Sequence, residues 1–395
     1  MMQLRDAQPF EAMDELDRLR QVLCKQPSDE CALRALEAAL VLGANGSALE
    51  AWSEEYKRDS SAEVWLRELI AEAMRNERLS SLGHAAESYA LLRWGAADSG
   101  LLRDARVEAR TDWPTSPYLT AAKLRHDIEQ LAYLAEAGVL ERDFVQMVTG
   151  HYQTTLERFV ARGGERQALD ETDRECIGRY YNRILHLRPT PRVAHALSRS
   201  WDRVRVVRDY LDPQLGVAVI DDFLTRDALI ELRAFCLEST IWFANRYGHG
   251  RLGAFLHDGF ACPLLMQIAE ELRRELPEIY LPIYPLTQVW AFKNTEYLPR
   301  DATTHADFAA VSSNLWITPD SANLAPEAGG LTIHNVAAPL HWDFATYNGR
   351  GDVIGSFLRQ QGASTLSIPH RQNRAIIFNA DLFHGTEEVR FLPGY

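Results

Sequence analysis

From Glu11 to Gly95, apolar residues, mostly Leu and Ala, recur at three- and four-residue spacing, the pattern that lines one face of a helix. Pro27-Ser28-Asp29-Glu30 reads as a helix stop followed by a new N-cap. The segment Ser28-x-Glu30-x-x-Leu33-Arg34-x-Leu36-x-Ala38 returns as Ser61-x-Glu63-x-x-Leu66-Arg67-x-Leu69-x-Ala71 at an offset of 33 residues. Glu54-x-Tyr56 returns as Glu87-x-Tyr89 at the same offset. A period of this size predicts stacked helical hairpins.

Ala105 to Pro117 is a charged, proline-containing break. Amphipathic helices are predicted at Thr120–Gly138, Glu141–Gly163 and Asp170–Leu187, and Pro189-Thr190-Pro191 marks the next boundary. Apolar residues alternate from Arg199 to Leu211, which predicts a change to β structure. Strands are predicted at Gly216–Asp221, Thr287–Lys293, Val311–Thr318, Gly329–His334, Thr365–Ile368 and Arg374–Asn379. Short strands punctuated by Gly, Pro and Asn indicate a sandwich or jelly roll, with helices Asp227–Thr240 and Pro263–Leu276 packed outside it. Ala338 to Ala363 reads as a long loop, and loops of that length are usually functional or disordered. Trp342, Phe344, Tyr347 and Arg350 make it a candidate lid or substrate-recognition loop. The expected class is therefore α+β, with a helical repeat or bundle over residues 1–104, bracing helices over 105–200 and a β domain over 201–395.

A chain of 395 residues has room for two or three domains and a large core. Its net charge of -13 argues against a broad nucleic-acid footprint, which needs Lys and Arg. The five cysteines, Cys24, Cys31, Cys176, Cys236 and Cys262, are scattered with no metal-ligand spacing. They read as reduced thiols of a cytoplasmic protein. The opening Met1-Met2-Gln3-Leu4-Arg5-Asp6 lacks the apolar core of a signal peptide, and no apolar run is long enough to span a membrane.

Candidate chemistry centres on His305-Ala306-Asp307 and His384. Two imidazoles and one carboxylate can cap one face of an octahedral metal and leave the other open, as in the facial triad of non-haem Fe(II) oxygenases. Residues i and i+2 of a strand share a face, so His305 and Asp307 can aim at one metal while His384 comes from a neighbouring strand. His341-Trp342-Asp343 repeats the same spacing and is the second candidate.

The order of motifs from Gly216 to Tyr395 resembles a 2-oxoglutarate/Fe(II)-dependent dioxygenase of the prolyl 4-hydroxylase type. The resemblance rests on Val217-Ala218-Val219-Ile220-Asp221-Asp222-Phe223-Leu224, Thr287-Gln288-Val289-Trp290-Ala291-Phe292, His305/Asp307, Gly329-Gly330-Leu331, Ala375-Ile376-Ile377-Phe378 and His384, in that order. It covers a little under half the chain, and it implies a double-stranded β-helix. It also implies Fe(II) held by His305, Asp307 and His384, 2-oxoglutarate and O2 as co-substrates, and hydroxylation of an unactivated C–H bond with release of succinate and CO2. Tyr297 and Asn314 are implied contacts of 2-oxoglutarate, and Trp290, Phe292 and Trp316 candidate pocket walls. The family places a basic residue about ten positions after the distal His, where it holds the far carboxylate. Arg390 comes earlier than that; the expectation is either that Arg390 or another Arg, with Arg371 and Arg374 as weaker candidates, replaces the expected residue, or that the anchor lies beyond Tyr395. The N-terminal period is similar to tetratricopeptide repeats, which suggests a peptide or protein substrate, or a protein partner, with a small-molecule substrate as the other option. The alternative function is a catalytically inactive oxygenase fold serving as a helical-repeat binding scaffold. Neither nucleic acid nor membrane is an expected partner.

Overall fold

The structure, a computed structural model, describes residue 70 and residues 79–95, 118–247, 250–281, 283–294, 297–298 and 304–392. The predicted repeat from Ser28 to Ala71 and the break at Ala105 to Pro117 lie outside the described residues, Ile70 and the 87–89 copy aside.

The helical part comprises α1 (Leu79–Trp94), β1 (Tyr118–Leu119), α2 (Ala121–Glu136), α3 (Arg142–Arg162), β2 (Gln167–Ala168), α4 (Glu171–Ile177) and α5 (Arg203–Tyr210). There follow β3 (Val217–Ile220), α6 (Arg226–Glu238), β4 (Ala244–Tyr247), β5 (Arg251–Phe255), α7 (Pro263–Glu275), β6 (Trp290–Asn294) and β7 (Tyr297–Leu298). The chain continues through β8 (Val311–Trp316), β9 (Leu331–Ala337), α8 (Phe344–Gly349), α9 (Gly351–Gln360), β10 (Thr365–Ile368), β11 (Arg374–Asn379), β12 (Leu382–Thr386) and β13 (Val389–Arg390). The class is α+β, and every named sheet pairing is antiparallel.

Two three-stranded sheets, ordered β3-β11-β8 and β10-β9-β12, face one another. Between them pack Leu331, Ile333, Ile368, Ile376, Phe378 and Leu382. β11 shows why its sequence is an unbroken apolar run. Ile376 and Phe378 point into this inner core, while Ala375 and Ile377 belong to a larger outer core with α5, α6 and α7. A central strand covered on both faces has no use for polar alternation. Each such fully buried Ile or Phe side chain contributes about 1.5–3 kcal/mol. The Gly329-Gly330 pair that precedes β9 has a steric cause. A Cβ on Gly330 would lie 1.8 Å from the Ile368 carbonyl oxygen, so the β9–β10 approach requires glycine.

The outer core crosses the expected boundary at residue 200, since Ala90, Trp94, Ile184, Leu187, Ala196 and Leu197 pack with α6 and α7. Helices α2, α3 and α4 have a core of their own, built on Leu124, Leu131, Val148, Tyr152 and Phe159. A buried polar network seats α2 against the β region. Lys123 pairs with Asp127, Asp127 meets His126 at 3.0 Å, and His126 meets Lys293 of β6 at 3.2 Å. Gln130 donates to the carbonyls of Leu237 and Ser239.

Several expectations need correction. Residues 203–210 form helix α5 rather than a strand approach. Asp202 caps it by accepting from Arg205 N, and Val206, Val207 and Tyr210 face the core at helical spacing. The helix expected over Asp170–Leu187 stops at Ile177, after a capping box between Asp170 and Asp173. The long loop expected from Ala338 to Ala363 contains α8 and α9, the second of them burying Ile354 and Leu358. The hairpin β4–β5, which pairs with β6, has no counterpart among the strands expected from the sequence.

Candidate metal centre

β12 supplies His384. Its neighbour Phe383 faces outward against Ile354 and Leu358, so the alternation of the strand turns His384 inward, opposite Ile333 in register. The His305–Asp307 segment is not a regular strand. It forms an isolated bridge to β12, with His305 N donating to His384 O at 2.9 Å and His384 N donating to His305 O at 2.8 Å. Asp307 N donates to Ala380 O in the β11–β12 turn, at 3.0 Å.

These contacts bring the three side chains together. One ligand atom from each of His305, Asp307 and His384 lies within 4.8 Å of the others. His305 Nε2 is 3.5 Å from Asp307 Oδ1, His384 Nε2 is 3.5 Å from Asp307 Oδ2, and the imidazole centroids are 4.5 Å apart. Donors bonded to one ion at about 2 Å and at right angles sit about 3 Å apart, so the set is close to metal-binding spacing. No other group of this kind exists among the described residues.

The protonation states suit a cation. His384 Nδ1 lies 2.9 Å from the Leu382 carbonyl, to which an Nδ1–H donates, leaving the Nε2 lone pair for a metal. Burial and the adjacent charge of His305 push the His384 imidazole down to about 4, against the pull of Asp307. Burial alone would raise the Asp307 carboxyl. The hydrogen bond from His305, the charge of His384 and the Ser312 hydroxyl outweigh it and hold the group at about 2. Ser312 Oγ donates to Asp307 Oδ2 at 2.6 Å, which leaves Oδ1 the freer ligand. Near neutral pH the set therefore offers a neutral imidazole at His384 and one carboxylate.

The competing His341-Trp342-Asp343 motif has other work. Asp343 caps α8 by accepting from Thr346 N, and Trp342 packs on Phe357 and Phe383. Asn314 lies on β8 two residues beyond Ser312 and so on the same face, half-buried opposite Ile376. Trp316 continues that face into the inner core, where its ring meets His370. Trp290 and Phe292 sit on one exposed face of β6. Tyr297 is the backbone partner of Arg390 across β7–β13, and its side chain lies outside the described residues. Arg390 is 62% exposed and donates to Glu388. Arg371 and Arg374 are both committed to Asp221.

Two contributors are missed by sequence reasoning. Ser312 is detectable as the residue two before Asn314 on one strand. Phe378, whose ring centroid lies 4.8 Å from that of His384, reads in the sequence only as strand core. Among the described residues Cys176, Cys236 and Cys262 are free thiols, and no helix is long and apolar enough to cross a membrane. No protein-family model, curated protein or solved structure matches the chain, so what this centre does is inferred from its own donors and their surroundings.

Proposed function

We propose that the chain is a non-haem Fe(II)- and 2-oxoglutarate-dependent oxygenase that hydroxylates an unactivated C–H bond. The observation that carries this reading is the convergence of His305, Asp307 and His384 as two imidazoles and one carboxylate with no fourth protein donor among the described residues. The donor set fits: it lacks the thiolates that favour copper(I) or iron–sulfur chemistry, and three donors leave coordination positions for small ligands. The facing sheets β3-β11-β8 and β10-β9-β12, with His384 on one of them, support a double-stranded β-helix.

When bound, Fe(II) supplies the O2 chemistry in which 2-oxoglutarate and a substrate C–H become succinate, CO2 and an alcohol. The residues of the chain supply orientation and protection from water. Leu382 fixes the His384 ring, Ser312 holds Oδ2 of Asp307, and Phe378 closes the inner side of His384. Asn314 shares the face of Ser312 on β8, which supports it as a contact of 2-oxoglutarate. The repeat period of the N-terminal region supports a peptide or protein substrate over a small molecule. The free thiols support a cytoplasmic setting. The alternative, a catalytically inactive binding scaffold, is less supported, because all three donors are present and the His384 ring and Asp307 carboxylate are each held by a hydrogen bond.

The test is succinate formation from 2-oxoglutarate by the full chain with Fe(II) under O2, in the presence of candidate peptides. His305→Ala should abolish it. Unaltered succinate formation in that variant, or none from the parent chain across the substrate panel, would overturn the reading.

A further inference from the structure

Ala306, between two of the ligands, is 1% exposed, and both of its backbone polar groups are held by α8. Ala306 N donates to the Tyr347 carbonyl at 3.0 Å, and Asn348 Nδ2 donates to the Ala306 carbonyl at 3.1 Å. Its methyl group packs in a cluster with Ile354, Leu358 and Phe383, joined by Trp342 and Tyr347. Segment 338–363 therefore lies against the side of the ligand segment opposite to the His305 and Asp307 side chains. In a regular sheet a neighbouring strand would hold these groups; here a short helix does.

We propose that Asn348 is a positioning residue for the metal centre, whose amide fixes the Ala306–Asp307 peptide plane and thereby the bite of His305 and Asp307. The inference rests on the metal-binding reading above and assigns α8 a part in it. Several observations converge. With Asn348 in place Ala306 is almost fully buried, so its carbonyl makes this bond shielded from water. The other backbone donors of the segment, His305 N and Asp307 N, go to β12 and the β11–β12 turn, leaving this bond to fix the remaining carbonyl. α8 is itself anchored, since Asp343 accepts from Thr346 N at 2.8 Å and α9 follows directly with Ile354 and Leu358 buried. Hydrogen bonds one step behind metal ligands typically govern affinity by about 10–100-fold.

The test uses the full chain with Mn(II) as probe, followed by electron paramagnetic resonance of the bound ion. Asn348→Ala removes the side-chain amide, and Asn348→Asp keeps the size but loses the donor. Both should weaken Mn(II) binding about tenfold or more and alter the spectrum of the ion that still binds. Asp352→Ala, which removes an exposed carboxylate paired with Arg350 in the first turn of α9, should do neither. The inference fails if both Asn348 variants bind with parental affinity and spectrum. It also fails if affinity falls only as far as the stability of the metal-free chain falls, with the spectrum unchanged. Failure of the parent chain to bind Mn(II) would instead sink the metal-centre reading beneath it.

Discussion

Ser312 donates to Asp307 Oδ2, the oxygen that also faces His384 Nε2, so the carboxylate is presented to a metal mainly through Oδ1. Replacing Ser312 with Ala should therefore loosen the ligand without removing it. We expect metal affinity to fall about tenfold, measured by competition with a chelator, whereas Asp307→Asn should abolish binding. Parental affinity in Ser312→Ala would show that the hydroxyl is incidental. At this scale the sequence is informative about the ligands and silent about what fixes them. Two His and one Asp carry directional donor atoms, and the order of the motifs around them, rather than a spacing that His341-Trp342-Asp343 shares, singles them out. The carbonyls of Leu382, Ala380 and Tyr347 carry no residue-type signal, because every residue has one. Asn348 becomes noticeable only once α8 is seen to cross behind Ala306.

Two strands of the facing sheets are legible in the sequence, whereas β12, which bears His384, has no counterpart among the expected strands. β10 and β11 have the expected bounds, and β11 is readable because an apolar run of this length between Arg374 and Asn379 fits a buried strand and is too short for a buried helix. Segments with mixed signals mislead. Val204 and Val206 alternate like a strand, yet Val204 is exposed and Val206 pairs with Val207 and Tyr210 on a helical face. Gly349, Gly351 and Gly355 make 338–363 look like a loop, although Asp343 before Thr346 and the spacing of Ile354, Phe357 and Leu358 are helix signals. The glycine pair before β9 yields an element-scale prediction. Gly330→Ala would force a Cβ into the Ile368 carbonyl, so β9 and β10 must separate. The thermal midpoint should drop by more than the few degrees typical of a surface change, with metal binding lost in parallel. A variant with parental melting behaviour would show that β10 can shift away at little cost.

The molecule as a whole joins a helical body to the β region through buried polar groups, a costly choice unless each is paired. Lys123→Met would leave Asp127 without its principal cation in a buried site. A loss of about 3–5 kcal/mol is expected, read from denaturant unfolding; a neutral effect would mean that Asp127 takes up a proton at little cost. The same network gives a pH signature. His126 is pushed down to about 4, by burial first and then by the charge of Lys293, and His384 likewise to about 4. An unfolded histidine titrates near 6.5, so the unfolded chain gains protons first as pH falls. Stability from these two groups is complete above about pH 6.5 and drains between about 6.5 and 4, by an amount of order 3 kcal/mol each. Glu87, raised by burial to about 7, has the opposite sign, since its contribution is present below 4.5 and is lost as pH rises towards 7. The melting temperature of the metal-free chain should fall on acidification below about 6.5, and less so in His126→Gln. The central claim, that His305, Asp307 and His384 hold one catalytic ion with room for 2-oxoglutarate, is tested most directly by crystals grown with Mn(II) and an inert 2-oxoglutarate analogue. The expected result is a single anomalous scatterer about 2 Å from His305 Nε2, Asp307 Oδ1 and His384 Nε2, chelated by two oxygens of the analogue. A manganese ion bound elsewhere, or held by these residues with no open position for the analogue, would contradict it.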